Sequence, residues 1–420
     1  MNKELYYELS ECRLCKSSSL INVISLASTP AGNNFLTLEE KENGIEPIFP
    51  LTVNICDECF HLQLGHVVNP DHLFKNYHFV SGTSRVNVSH FDDYAESIID
   101  KFSIKAGSLI LDIGSNDGTN LKSFQRRGMR VLGVDPAENV AKIANQNGIE
   151  TLPEYFTKDL ALKIKEDYGQ PALITSHNVL AHVDDFSGVM NAIKLLMNDN
   201  SLFIFEVGYF MDVYKNLWFD TIYHEHLDYH TVSPLKNFFE TIGMDLFHVN
   251  RVDIQGGSIR NYVQLNNGIN QTHSSVNELI NDEKDIGLQN IDKIRKFQLK
   301  VDESKSELFG ILKKIKDNEK SIAGYGAPTK STTLMNHFDL NSSIIDFIID
   351  DNELKQNKFS PLLHIPILSK EKLAQEPQPD YLIILAWNFA ESIIDKVKKE
   401  GVFKGNFIIP LPSPKIIKGK

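Results

Sequence analysis

Apolar runs and polar turns alternate along most of this 420-residue chain with the spacing of strands followed by helices. A helical pattern from about Asp92 leads to a strand over 108–111, a helix after Gly118, a strand over 131–134 and a helix from Glu138. An apolar strand at Ala172-Leu173-Ile174 follows, then a polar bend at Ser176-His177-Asn178 and a strand over 201–207. This alternation predicts a doubly covered parallel sheet, and in such folds ligands sit beyond the carboxyl ends of the strands. Ile291, Ile294, Phe297, Val301, Leu308, Leu312 and Ile315 recur at helical spacing and predict one long amphipathic helix joining two domains. Behind it, strands over 321–323, 347–350 and 381–386 predict a second, smaller α/β unit. The first 75 residues read differently, with strand-like stretches such as Leu51-Thr52-Val53-Asn54-Ile55 set among cysteines. The expected division is a metal-binding module over 1–75, a larger α/β domain over 76–285, and the linking helix with a smaller α/β domain over 286–420.

Composition narrows the classes. A chain this long exceeds one ordinary hydrophobic core, so several domains are expected. A formal charge of -12 argues against a nucleic-acid footprint, which needs a basic face. No basic stretch leads into an apolar segment at the start, and nowhere do about eighteen apolar residues run together, so no membrane association and a cytoplasmic location are expected. All four cysteines fall within the first sixty residues, as Cys12-x-x-Cys15 and Cys56-x-x-Cys59. Two such knuckles close a tetrahedron of thiolates around one structural zinc and leave no coordination position open for chemistry. Redox or catalytic thiols are the competing reading.

Three loops and one polar cluster carry the candidate chemistry. The first apolar strand ends at Asp112 and turns through Ile113-Gly114-Ser115-Asn116-Asp117-Gly118, and Gly133-Val134-Asp135-Pro136 follows. Glycines there let backbone approach a ligand, and a carboxylate ending the second strand accepts ribose hydroxyls. Ser115, Asn116 and Asp117 stand where a pyrophosphate fingerprint would place its middle glycine, which favours an adenosyl cofactor without phosphate, S-adenosylmethionine. Gly114, Ser115, Asn116, Asp135 and Pro136 are the expected cofactor residues, with His177 and Asn178 at the end of a neighbouring strand.

Tyr223-His224-Glu225-His226, followed by His230, is the densest titratable cluster. It suits a general base with a carboxylate or phenol beside it, a second metal site through His224, His226 and His230, or a packed group without chemistry. Gly324-Tyr325-Gly326-Ala327-Pro328-Thr329-Lys330-Ser331 nearly matches two phosphate-binding motifs and satisfies neither. It is expected either to cradle a substrate diphosphate through Tyr325, Lys330 and Ser331 or simply to pack as a tight turn. Gln255-Gly256-Gly257-Ser258-Ile259-Arg260 is a weaker candidate, in which Ser258 and Arg260 would contact substrate.

Taken in order, the two knuckles, 111–118, Tyr223-His224-Glu225-His226, Gly256-Gly257-Ser258 and 324–328 resemble the S-adenosylmethionine-dependent deoxysugar C-methyltransferases over nearly the whole chain. The resemblance implies a zinc-binding N-terminal domain, a central methyltransferase domain and a C-terminal α/β domain. It also implies a nucleotide-diphosphate 4-keto-6-deoxyhexose as substrate, with His226 as base and Tyr223, Glu225 and His182 around the sugar. Gln255 replaces a histidine expected before the glycine pair. The expected enzyme is a monomeric C3-methyltransferase of branched-chain deoxysugar biosynthesis. The competing readings are methylation at C5, oxygen or nitrogen of a related sugar, and a non-enzymatic zinc-ribbon scaffold.

Overall fold

The computed structural model describes residues 5–74, 80–254 and 256–419. Near the N-terminus, the strand Phe49–Cys56 buries Phe49, Leu51, Val53 and Ile55 at alternate positions, as a sheet covered on one face requires. It pairs antiparallel with Leu20–Thr29 and with Leu62–Leu64. The fourth strand of this sheet, Asp228–Tyr229, arrives from the next domain and pairs with Gln63 and Leu62. Nothing in the periodicity of so short a segment announces that crossing.

The central sheet has seven strands, in the order Met244–Val252, Ser258–Leu265, Leu202–Gly208, Leu173–His177, Leu109–Ile113, Arg130–Val134 and Thr151–Leu152. The last five run parallel, and the first two form an antiparallel edge. Leu109–Ile113 is buried throughout, as a strand covered on both faces must be. The expected polar bend at 176–178 is instead the end of a strand: Ser176 and His177 are in register with Phe205 and Glu206, and the turn comes at Asn178, with φ of 56°. Polar residues are tolerated there because the Ser176 hydroxyl donates to the Ile113 carbonyl at 2.9 Å. The expected loop over 255–260 is likewise shorter. Ser258 and Arg260 belong to a strand paired on both sides, by Met244–Val252 and Leu202–Gly208, and Gly256 and Gly257, with φ of 90° and 124°, make the turn before it. Gln255 lies outside the described residues.

The helix Ile291–Asp317 buries the predicted stripe Ile294, Phe297, Val301, Leu308, Leu312 and Ile315. It leads to a six-stranded sheet ordered Ile367–Leu368, Ile348–Ile349, Ile322–Tyr325, Tyr381–Ile384, Asn406–Ile409 and Lys415–Ile417, parallel except for its last strand. The three units share one continuous apolar core. No helix among the described residues is long and apolar enough to cross a membrane.

Candidate functional site

The two cysteine knuckles meet. Cys12 and Cys59 Sγ lie 3.6 Å apart, Cys15 and Cys56 Sγ 3.4 Å apart, and all four sulfurs fall within 4.8 Å of one another. Without a cation such sulfurs cannot all ionise. The hydrogen bond with Cys59 pulls Cys12 down to about 5, the same contact drives Cys59 well up, and burial pushes Cys15 to about 11. A metal removes that conflict by accepting four thiolates at once, and the sulfur-only donor set suits zinc.

A cavity of about 370 Å³ opens at the carboxyl ends of the central strands. Gly114, Asn116, Asp135, Pro136, His177 and Asn178 all line it. Gly114 adopts φ of 73°, and a Cβ there would sit 2.2 Å from Val179 Cγ2, so glycine is dictated by both backbone and space. The buried Asp135 carboxylate spans the gap between loops, accepting from Asn116 N at 2.8 Å and Ala137 N at 2.9 Å. Burial raises its pKa above the ordinary carboxylate value. Ser115 differs from expectation: it is absent from the cavity wall, and its hydroxyl packs beneath Gly133.

Tyr223-His224-Glu225-His226 forms a turn, closed by His226 N donating to Tyr223 O at 2.9 Å. The turn splits the cluster. His224 and Glu225 face the cavity, while Tyr223 and His226 come together behind it. His226 Nδ1 lies 2.8 Å from the Thr221 carbonyl, which can only accept, so Nδ1 carries the hydrogen. Nε2 is then the basic nitrogen, and it accepts from the Tyr223 hydroxyl at 2.8 Å. His182, on the cavity wall, meets His226 edge-on with ring centroids 5.1 Å apart. Burial holds His226 at about 4 and His182 at about 3, so both imidazoles are neutral at pH 7. Burial pushes the Glu225 carboxyl up to about 7, against a hydrogen bond from Asn33 Nδ2 at 3.2 Å.

Other expected residues are placed elsewhere. His224, His226 and His230 form no metal-binding group among the described residues: His224 packs on Phe49, and His230 lies against His61 and Phe186. Arg260 is committed to Glu206 through Nε at 2.6 Å, and Ser258 is buried with its hydroxyl on Ile254 O. The loop over 324–331 lines no part of the cavity, unlike the expected diphosphate cradle. Tyr325 donates to the Asp351 carboxylate, Ser331 donates to Pro328 O, and Lys330 sits 4.5 Å over the Trp387 ring and 3.9 Å from buried Asp220.

Sequence reasoning missed one cavity-wall group. His90, on the helix Arg85–Phe102, and His177 both approach Glu206 Oε2, at 2.7 and 3.2 Å. A carboxylate inside the otherwise apolar Leu202–Gly208 strand was the available signal. Val67 and Val68 of the N-terminal module also reach this wall.

Models of known families match three successive stretches: a zinc binding domain over 12–74, a methyltransferase domain over 88–249 and a C-methyltransferase C-terminal domain over 253–412. The C-methyltransferase NovU of Streptomyces niveus is 34% identical over 415 residues, covering 99% of this chain and 98% of that protein. The chain belongs to the C-methyltransferase family. S-adenosylmethionine is the methyl donor, and the four clustered cysteines Cys12, Cys15, Cys56 and Cys59 lie in the zinc binding domain. This C-methyltransferase is also 32% identical over 96 residues to the ubiquinone biosynthesis O-methyltransferase of Acinetobacter baylyi, a match that covers 22% of the chain and 40% of that enzyme. Among solved structures it is similar to an S-adenosylmethionine-dependent methyltransferase from Clostridium acetobutylicum, at 11% identity and a TM-score of 0.35, over 42% of this chain and 92% of that one.

Proposed function

We propose that this C-methyltransferase transfers a methyl group to C3 of a nucleotide-diphosphate 4-keto-6-deoxyhexose, as a step in making branched-chain deoxysugars. The observation that carries the reading is the oriented His226: its Nδ1–H is anchored on Thr221 O, and its buried ring meets edge-on the His182 ring, which lines the cavity with Gly114 and Asp135. A hydrogen on the carbon beside a ketone is removable because the charge left behind spreads onto oxygen.

In this reading His226 Nε2 takes the C3 proton. Tyr223 O–H, released from that nitrogen, donates to O4 as the enolate forms, with His182 beside it. S-adenosylmethionine, when bound, supplies a sulfonium-activated methyl group. Gly114 and Asp135 would hold that donor, whose methyl would pass to the C3 electron pair as its bond to sulfur is given up, and the proton leaves His226 to water. Burial keeps the imidazole unprotonated, so no proton must be shed before reaction. Glu225, near neutrality by virtue of burial, is placed to hydrogen-bond a sugar hydroxyl in either protonation state. A positioned base contributes about 10²–10⁴ in rate.

The test is hydrogen exchange. With a 4-keto-6-deoxysugar nucleotide in heavy water, the wild-type protein exchanges or methylates C3, while His226→Ala leaves the C3 hydrogen in place. Rapid exchange by the variant removes His226 from this role. A product whose new methyl lies on oxygen, nitrogen or C5 overturns the C3 assignment.

A further inference from the structure

Arg13 lies between two zinc ligands, Cys12 and Cys15, yet its side chain points away from the metal and is only 2% exposed. Its guanidinium enters the methyltransferase domain. Nη2 meets Asp184 Oδ1 at 3.3 Å, Nη1 donates to Leu227 O at 3.4 Å, and Nη1 is 3.8 Å from Asp228 Oδ1. Asp184 comes two residues after His182. Leu227 and Asp228 come one and two residues after His226.

We propose that Arg13 is a positioning residue for methyl transfer, a staple from the zinc module that fixes the spacing of His182 and His226. The proposal rests on the functional reading above. The same two segments also meet where Leu227 N donates to Ala181 O at 2.6 Å and where the His182 and His226 rings pack edge-on, and the guanidinium adds a charged tie beyond these contacts. The other groups facing the staple are fixed too. Tyr7 donates to Asp184, which lines the cavity, and His61 meets Asp228 at 2.7 Å with both side chains fully buried. Arg13's own backbone is held at both ends: its N–H donates to Gln63 Oε1 at 2.9 Å, and its carbonyl accepts from Ser187 Oγ at 3.1 Å.

A planar guanidinium serves Asp184 through Nη2 and Leu227 O and Asp228 through Nη1, which a lysine ammonium on a flexible stem does not reproduce. Four thiolates close the zinc site without any help from this cation. Buried ion networks of this kind add little stability over apolar packing of the same volume. What the network does supply is one fixed arrangement of the two histidine segments.

The experiment compares the zinc-loaded wild type with Arg13→Lys, Arg13→Met and Asp184→Asn. Zinc content, donor affinity by calorimetry, kinetics on a 4-keto-6-deoxysugar nucleotide and ¹⁵N spectra of labelled histidines are measured for each. Expected for Arg13→Lys are one zinc per chain, a donor Kd within about twofold of wild type, a sugar KM similarly unchanged, a kcat lower by about tenfold and altered His226 ring-nitrogen signals; Arg13→Met falls further, since misplacing a catalytic group by about 1 Å costs up to about 10²-fold. Wild-type kcat and unchanged histidine signals in Arg13→Lys overturn the proposal. Should both Arg13 variants lose zinc, Asp184→Asn takes the charge from the staple's far side with the knuckle intact, and wild-type kcat and histidine signals there overturn it equally. Failure of the wild type to methylate any such sugar overturns the functional reading instead, and the histidine spectra still decide on the staple.

Discussion

Two glycine-bearing loops in this protein are built on one plan and serve different ends. Each follows a buried parallel strand, opens a helix, and faces an aspartate just beyond the next strand: Asp135 after Arg130–Val134 and Asp350 after Ile348–Ile349. Asp135 accepts from Asn116 N and Ala137 N, and Asp350 accepts in the same pattern from Ala327 N at 2.6 Å and Asn352 N at 2.8 Å. The surroundings diverge. Beside Asp135 the chain leaves the cavity, walled by Pro136, Tyr155 and Phe156. Beside Asp350, Lys355 Nζ bonds to Ala327 O at 2.6 Å and lies 4.8 Å over the Phe35 ring, filling that approach from within the protein. A local turn creates a potential site, and the residues packed in front of it decide whether a ligand enters.

The most severe way to test this contrast is to add one methyl group to each loop. Gly114→Ala places a Cβ against Val179 at positive φ, in the loop proposed to hold the donor; the expected outcome, read by calorimetry, is donor affinity weaker by about 5- to 150-fold as the loop shifts to relieve about 1–3 kcal/mol of left-handed strain. Gly326→Ala carries comparable strain, with φ of 88° and Ala386 Cβ 2.7 Å away, but is expected to lower the melting temperature and leave donor affinity within about twofold. Equal loss of donor binding in both variants breaks the comparison.

Asp135→Ala removes the proposed acceptor for the donor's ribose and should weaken the donor by about 10- to 100-fold, the equivalent of hydrogen bonds to a charged group at about 1.5–3 kcal/mol. The pH dependence sharpens this. Burial raises the Asp135 pKa, so the accepting carboxylate is present above that raised value and is lost as pH falls through it. Donor Kd measured against pH should therefore weaken on the acid side in the wild type, and that limb should vanish in Asp135→Asn. The smallest effect is expected for Lys330→Met. Donor Kd should stay within about twofold while thermal stability falls, because buried Asp220 loses the cation 3.9 Å away. A large loss of donor affinity would place the second loop in the methyl-donor site after all.

Much of this was legible in the chain. Strands over Leu109–Ile113 and Arg130–Val134 and the stripe on Ile291–Asp317 follow from burial on both faces or on one, which imposes a period on the residues themselves. The boundary errors have a different origin. Ser176 and His177 look like turn residues by composition, yet Phe205 and Glu206 hold them in the ladder, and no local signal records a partner thirty residues away. Arg260 is misleading for the same reason: a cation near glycines suggests an anion site, but its carboxylate partner Glu206 lies across the sheet.

The sequence by itself determined the three-part organisation, the sulfur-only zinc site and the glycine–aspartate pairing at the cavity, because each is set by residue type at short or regular spacing. Only the tertiary structure decided which nitrogen of His226 is basic, that His182 stands beside it, that Arg13 reaches out of the zinc module to the segments that carry them, and that one of two look-alike loops is closed by Lys355. Those facts depend on side chains from distant segments meeting in a buried space, where hydrogen-bond geometry and desolvation, rather than residue identity, fix what each group can do.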